Sequence, residues 1–166
     1  MANKTRSSAP RPLVGLAAGV AAGLAASAVM ALFQAKTAKA FDAEGDPADS
    51  ATAKAANAAK LLATGEPMRR IDRPAGGQVV HYVFGAALGG AYGLAAEYRP
   101  GIATGFGSAY GLLTSAVFDE AAVPALGFGD APTETPLGVH LYGVSSHLVY
   151  GLALEGVRAL LGGRRA

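Results

Sequence analysis

Charge is distributed along this chain in blocks. Residues 13–33 form a run of 21 without a charged side chain, 78–96 a run of 19, 101–118 a run of 18 and 136–154 a run of 19, each closed by charge or proline. A helix rises about 1.5 Å per residue and a hydrocarbon core is about 30 Å thick, so each run is long enough to span or nearly span a bilayer. The pattern predicts an all-α membrane protein with about four transmembrane helices. Short connections between the last three make neighbouring helices run antiparallel. The chain then divides into a basic tail (1–12), a first span (13–33), a polar loop (34–77), a three-helix transmembrane region (78–158) and a second basic tail (159–166).

The loop 34–77 carries thirteen of the chain's twenty-six charged residues and reads as extramembrane. Within it Asp46, Pro47 and Asp49 give a helix cap, a first-turn proline and an early acid, while Gly65 after Leu61 and Leu62 gives a stop. A helix is expected near 47–64, lying at the membrane surface or solvated.

Composition sharpens the membrane reading. Apolar residues make up 51% and charged residues 16% of 166, against about 25% charged in ordinary soluble domains. Twenty-three glycines and no cysteine leave no disulfide and no thiolate metal site. A net charge of +2 spread over segment ends gives no reason to expect nucleic acid. The glycines recur every fourth residue: Gly15, Gly19 and Gly23 in the first span, Gly85, Gly89 and Gly93 in the second, Gly101 and Gly105 in the third. Such rows let helix backbones approach, so the bundle is expected to be glycine-packed or to present a self-associating face to a second copy or a membrane-protein partner.

One phrase is written three times, as YGLAAE from Tyr92, YGLLTS from Tyr110 and YGLALE from Tyr150. On sequence alone the tyrosines belong at a membrane interface, with Glu97 and Glu155 meeting water and Glu155 pairing with Arg158 at the surface.

Candidate chemistry gathers at the opposite end of the spans. His81 opens the second, Asp119 and Glu120 close the third, and His140 starts the fourth. His147 lies seven residues deeper on the same face as His140, about 10 Å further in. His140, Gly143, His147 and Gly151 make one stripe and His81, Gly85, Gly89 and Tyr92 another; if the two face each other, imidazoles and carboxylates converge at one bundle mouth. An ionisable residue inside a membrane is costly without a partner, which marks His147. It could clasp helices through a hydroxyl such as that of Ser145, Ser146 or Tyr110, titrate in a proton or solute path, or ligate a divalent metal or b-type haem with His81, His140 and a carboxylate. No metalloprotease or nucleophile-elbow motif occurs, and no enzyme activity or bound cofactor is expected on the first two readings.

Orientation is balanced. With both termini inside, Lys and Arg number seven on each side, and the basic flank of the first span decides for cytoplasmic termini. The sequence Ala38-Lys39-Ala40 before Phe41 also fits a secretory cleavage site, but the apolar run before it is longer than such cores.

The stretches HYVFGAALGGAYGLAAEYRPG, GFGSAYGLL, FDEAAVPALGFG and HLYGVSSHLVYGLALEGVR, between His81 and Arg158, resemble the YagU-like family of uncharacterised bacterial inner-membrane proteins. The resemblance implies a small multi-pass protein of the bacterial inner membrane, and it supplies no catalytic residues. The lipid bilayer is its first expected partner.

Overall fold

The computed structural model describes residues 9–163; the basic residues Lys4, Arg6, Arg164 and Arg165 lie outside the described residues. Helix α1 covers Pro12–Thr37, α2 Ala51–Thr64, α3 Arg73–Tyr98, α4 Ser108–Val117, α5 Val123–Ala125 and α6 Leu137–Leu160, and no strand occurs among the described residues. Three segments, Pro12–Phe41, Arg70–Tyr98 and Leu137–Leu160, are long and apolar enough to cross a membrane.

The third expected span, 101–118, is broken. A 3-10 turn covers Pro100–Ala103, and Gly105, Phe106 and Gly107 follow with φ of +77°, +54° and +82°. Left-handed residues cannot continue a right-handed helix, so α4 starts only at Ser108. It carries on through a π turn, Phe118–Ala122, into α5. Gly101 and Gly105 therefore do not pack helices: they lie in the connection, and nothing stands within 4 Å of a Cβ built on Gly101. The residues that bring α4 close to a neighbour are Gly107 and Gly111.

Glycines lie at two of the helix contacts, α1 with α3 and α4 with α6. Gly15, Gly19 and Gly23 of α1 meet Gly93, Gly89 and Gly85 of α3 in antiparallel order; a Cβ on Gly89 would stand 2.7 Å from the Gly23 Cα and one on Gly93 2.8 Å from the Gly19 Cα. Likewise a Cβ on Gly151 of α6 would stand 3.0 Å from the Gly111 Cα of α4. Real carbon atoms do not approach so closely, so only glycine permits either contact. α1 packs on both α3 and α6, and α4 on α6. The two stripes do not face each other: the α3 glycines face α1, and Gly143 and Gly151 of α6 face the α4–α5 segment.

The buried core is built mainly of small side chains, with Met30, Tyr92, Tyr150 and Leu154 as its larger members. Ala22, Ala26, Ser27, Ser115 and Ser146 are buried, whereas Leu13, Leu32, Val79, Val83, Leu113, Leu141 and Leu160 are exposed. Burying small side chains while exposing large apolar ones inverts the order of a water-soluble domain and suits a lipid surround.

The polar loop folds back on α3. The Asp46 side chain accepts from the Ala48 N–H at 2.8 Å and caps a 3-10 turn, Pro47–Asp49; Ser50 then caps α2, which stops at Gly65 with φ +76°. Ala53 and Ala56 sit against Gly77 and Gly76 at the start of α3. Arg70 bonds both Asp46 and Asp49 at 2.8 Å, tying the segment before α2 to the segment after it.

Candidate functional site

The repeated tyrosine-glycine phrase joins helices. Tyr92 of α3 donates to Glu155 of α6 at 3.0 Å, Tyr150 of α6 donates to the Gly85 carbonyl of α3 at 2.7 Å, and Tyr110 of α4 donates to the Leu88 carbonyl of α3 at 2.9 Å. Each following glycine, Gly93, Gly151 or Gly111, is then a point of close approach to a different helix. Tyr92 and Tyr150 are 1% and 3% exposed, so the expectation that these rings sit at an interface is corrected. A phenol in the core needs an acceptor, and a neighbouring helix supplies one in each case.

The acids after those phrases are corrected as well. Glu97 and Glu155 are buried. Glu97 accepts from the Arg11 backbone N–H at 2.9 Å, and Arg158 chelates Glu155 with Nε–Oε2 at 2.7 Å and Nη2–Oε1 at 2.9 Å. Arg158 also stands 5.7 Å from the Tyr92 ring centroid. The expected surface pair is an interior one, because α6 runs past Leu154 to Leu160 and carries Glu155 and Arg158 along its packed face.

At the other end α3 and α6 are separated, and a cleft of about 1050 Å³ lies between them. α1 supplies Ser27 and Met30, α3 His81 and Phe84, the π turn Asp119 and Glu120, and α6 His140, His147 and Tyr150. Two histidines meet the two acids. His147 Nδ1 lies 3.0 Å from Asp119 Oδ2 and 3.1 Å from its own helix's Gly143 carbonyl; His140 Nδ1 lies 2.7 Å from Glu120 Oε1, with Nε2 3.0 Å from the Pro132 carbonyl. Ser115 donates to Asp119 Oδ2 at 3.0 Å and fixes that carboxylate.

The π turn and Gly143 explain the geometry. A π turn inserts one extra residue into a helix and rotates the side chains that follow it, and such turns gather at functional sites. Here it covers Asp119 and Glu120 and leads into Pro124. A Cβ on Gly143 would stand 2.8 Å from Asp119 Oδ2, so glycine there makes room for the acid.

The hydroxyl clasp expected for His147 is replaced by a carboxylate and a carbonyl. His81 takes a third course, with Nε2 3.1 Å from the Ser27 carbonyl of α1. The three histidines line one cleft without converging on one point, and among the described residues no three His, Asp or Glu side chains are grouped to hold a metal ion. Two separate imidazole–carboxylate pairs can each hold or pass a proton, or exchange it for another cation.

Sequence reasoning missed Gly107, Gly111 and the role of Ser115. Gly107 and Gly111 are four apart, the same signal as in the other rows, and were passed over because Gly101 and Gly105 fit an earlier register.

No curated protein and no solved structure matches the chain. One family does, over residues 63–156, which runs from the end of α2 through α3, α4 and α5 into α6 and holds every carboxylate and histidine of the two pairs. The chain belongs to that family, described as a protein of unknown function, DUF1440.

Proposed function

We propose that the protein is a non-enzymatic integral protein of the bacterial inner membrane in which α1, α3, α6 and the α4–α5 segment form a glycine-packed bundle, and that its cleft is a solute-binding or permeation site. The carrying observation is the His147–Asp119 pair, 15% and 34% exposed, set inside a cleft walled by three helices able to span a bilayer. Ionisable groups at such depth are retained where ions or polar solutes pass. The YagU-like reading is supported by the overlap of its stretch, residues 81–158, with the matched region.

With both termini cytoplasmic, the cleft opens on the outer face, since its mouth lies at the carboxy-terminal end of α1 and the amino-terminal ends of α3 and α6. The absence of native cysteine makes this testable by single-cysteine labelling. Val139→Cys, in the cleft wall, should react with a membrane-impermeant maleimide added outside right-side-out vesicles, while Leu24→Cys on the apolar exterior should not. Reaction of Val139→Cys only after permeabilisation would reverse the orientation. No reaction in either condition would remove the cleft as a path.

A further inference from the structure

We infer that the cleft binds an organic cation, a positively charged centre carried on an apolar or aromatic body; this rests on the cleft being the working site. Among the charged residues of its wall acids prevail: Asp119, Glu120 and Asp130 from the π turn and the segment after α5, with Asp46 and Asp49 from the turn before α2, against Lys54 alone of the lysines and arginines. Asp46 and Asp49 are already engaged by Arg70, so the acids nearest the bundle set the local charge. An anion entering would meet those carboxylates across low-dielectric walls.

Several aromatic rings also line the cleft. Phe84 and Phe118 meet edge to face at 5.6 Å, and Phe118 directly precedes Asp119; Tyr142 and Tyr150 stand on α6. A ring face attracts a cation through its quadrupole, and a carboxylate adjoining ring faces suits an ammonium or phosphonium centre that keeps little water. An inorganic ion fits less well. It would need several oxygen or nitrogen donors at one point, which the two separated pairs do not provide, and it would leave most of about 1050 Å³ unfilled.

Asp119 and Glu120 each face one imidazole, His147 and His140, and a bound cation would give both carboxylates a fixed counter-charge.

The test is equilibrium dialysis of the full chain in detergent against tetraphenylphosphonium, with tetraphenylborate as an anion of the same shape and protein-free micelles as background. Saturable binding of the phosphonium near one per chain, borate at background, and at least a tenfold loss of affinity in Asp119→Asn/Glu120→Gln are expected. Equal binding of both ions, no saturable binding, or unchanged affinity in a double variant that unfolds at the wild-type temperature overturns the inference. Should the double variant fail to fold, Phe84→Leu keeps an apolar wall and removes one ring; a several-fold weaker affinity is expected, and wild-type affinity there overturns it. The cleft reading stands apart from this result, since Val139→Cys labelling reports access whatever the charge of the ligand.

Discussion

Arg158 and Glu155, one helical turn apart on α6, form a two-point ion pair whose side chains are 0% and 5% exposed, beneath the Tyr92 ring of α3. Removing one charge from a buried pair leaves the other uncompensated, typically at a cost of about 3–5 kcal/mol, whereas replacing both with well-packed apolar residues is often near neutral. Arg158→Met should therefore destabilise the folded protein strongly, and Glu155→Leu/Arg158→Met should recover much of the loss. Reversible denaturant unfolding in mixed micelles checks it, and a double variant no more stable than Arg158→Met would assign the pair a direct stabilising role.

Gly89 and Gly101 predict opposite outcomes for the same substitution. A Cβ at Gly89 meets the α1 backbone at Gly23, while one at Gly101 meets nothing. Overpacking a tight contact costs about 1–3 kcal/mol, and an exposed site usually changes by less than about 0.5 kcal/mol. Gly89→Ala should lower the unfolding midpoint and Gly89→Leu prevent assembly of α1 on α3, with Gly101→Ala silent. Equal effects at both positions would mean that α1 and α3 do not meet along their glycines.

His147 and Gly143 test whether the cleft does chemistry or only holds helices together. His147→Ala should abolish solute flux in proteoliposomes without unfolding the chain. Gly143→Ala should weaken flux by displacing Asp119, since its Cβ would stand 2.8 Å from Asp119 Oδ2. Unchanged flux in folded His147→Ala would reduce the histidine to a polar clasp.

The tie between Arg70 and the start of α2 predicts a pH response outside the membrane. Asp46 is held below its ordinary value of 3.8, first by the Ala48 N–H and then by Arg70, and Asp49 is lowered by Arg70. A depressed carboxyl contributes stability that is complete above 3.8 and lost as pH falls through the folded value. Protection of the amides around Ala48, taken relative to the intrinsic exchange rate at each pH, should thus be high at neutral pH and fall once pH drops below the ordinary carboxyl value. Arg70→Ala should show the lower protection already at neutral pH; protection unchanged in that variant would show that the cap alone orders the turn.

The elements that were legible in the sequence are those set by local rules. Gly65 marks the stop of the loop helix, and Asp46 with Pro47 marks the 3-10 turn before it, while the cap of α2 itself is Ser50, because capping and left-handed φ act within a few residues. Charge-free runs mark three long helices because length alone decides whether a helix can cross hydrocarbon. The glycines of the first two rows lie where α1 and α3 meet, those of the third row, Gly101 and Gly105, do not lie between helices, and His81, His140, His147, Asp119 and Glu120 line one cleft.

Which surface meets which was decided only in three dimensions. Gly85 and Gly89 could have received α6 as readily as α1 on spacing alone. Glu155 and Arg158 read as a surface pair because the charge that ends an apolar run looks the same whether it meets water or a partner on another helix. The His147–Asp119 pair depends on a π turn and on Gly143, two features that act across helices. Sequence by itself determined the stop of the loop helix and three apolar stretches long enough to cross hydrocarbon, since both follow from neighbours along the chain; the break of 101–118 at Gly105–Gly107 and the burial of Glu97, Glu155 and Arg158 did not follow from it. Tertiary structure decided the partners, since close packing admits only the arrangement in which every missing Cβ is matched by a backbone across the interface.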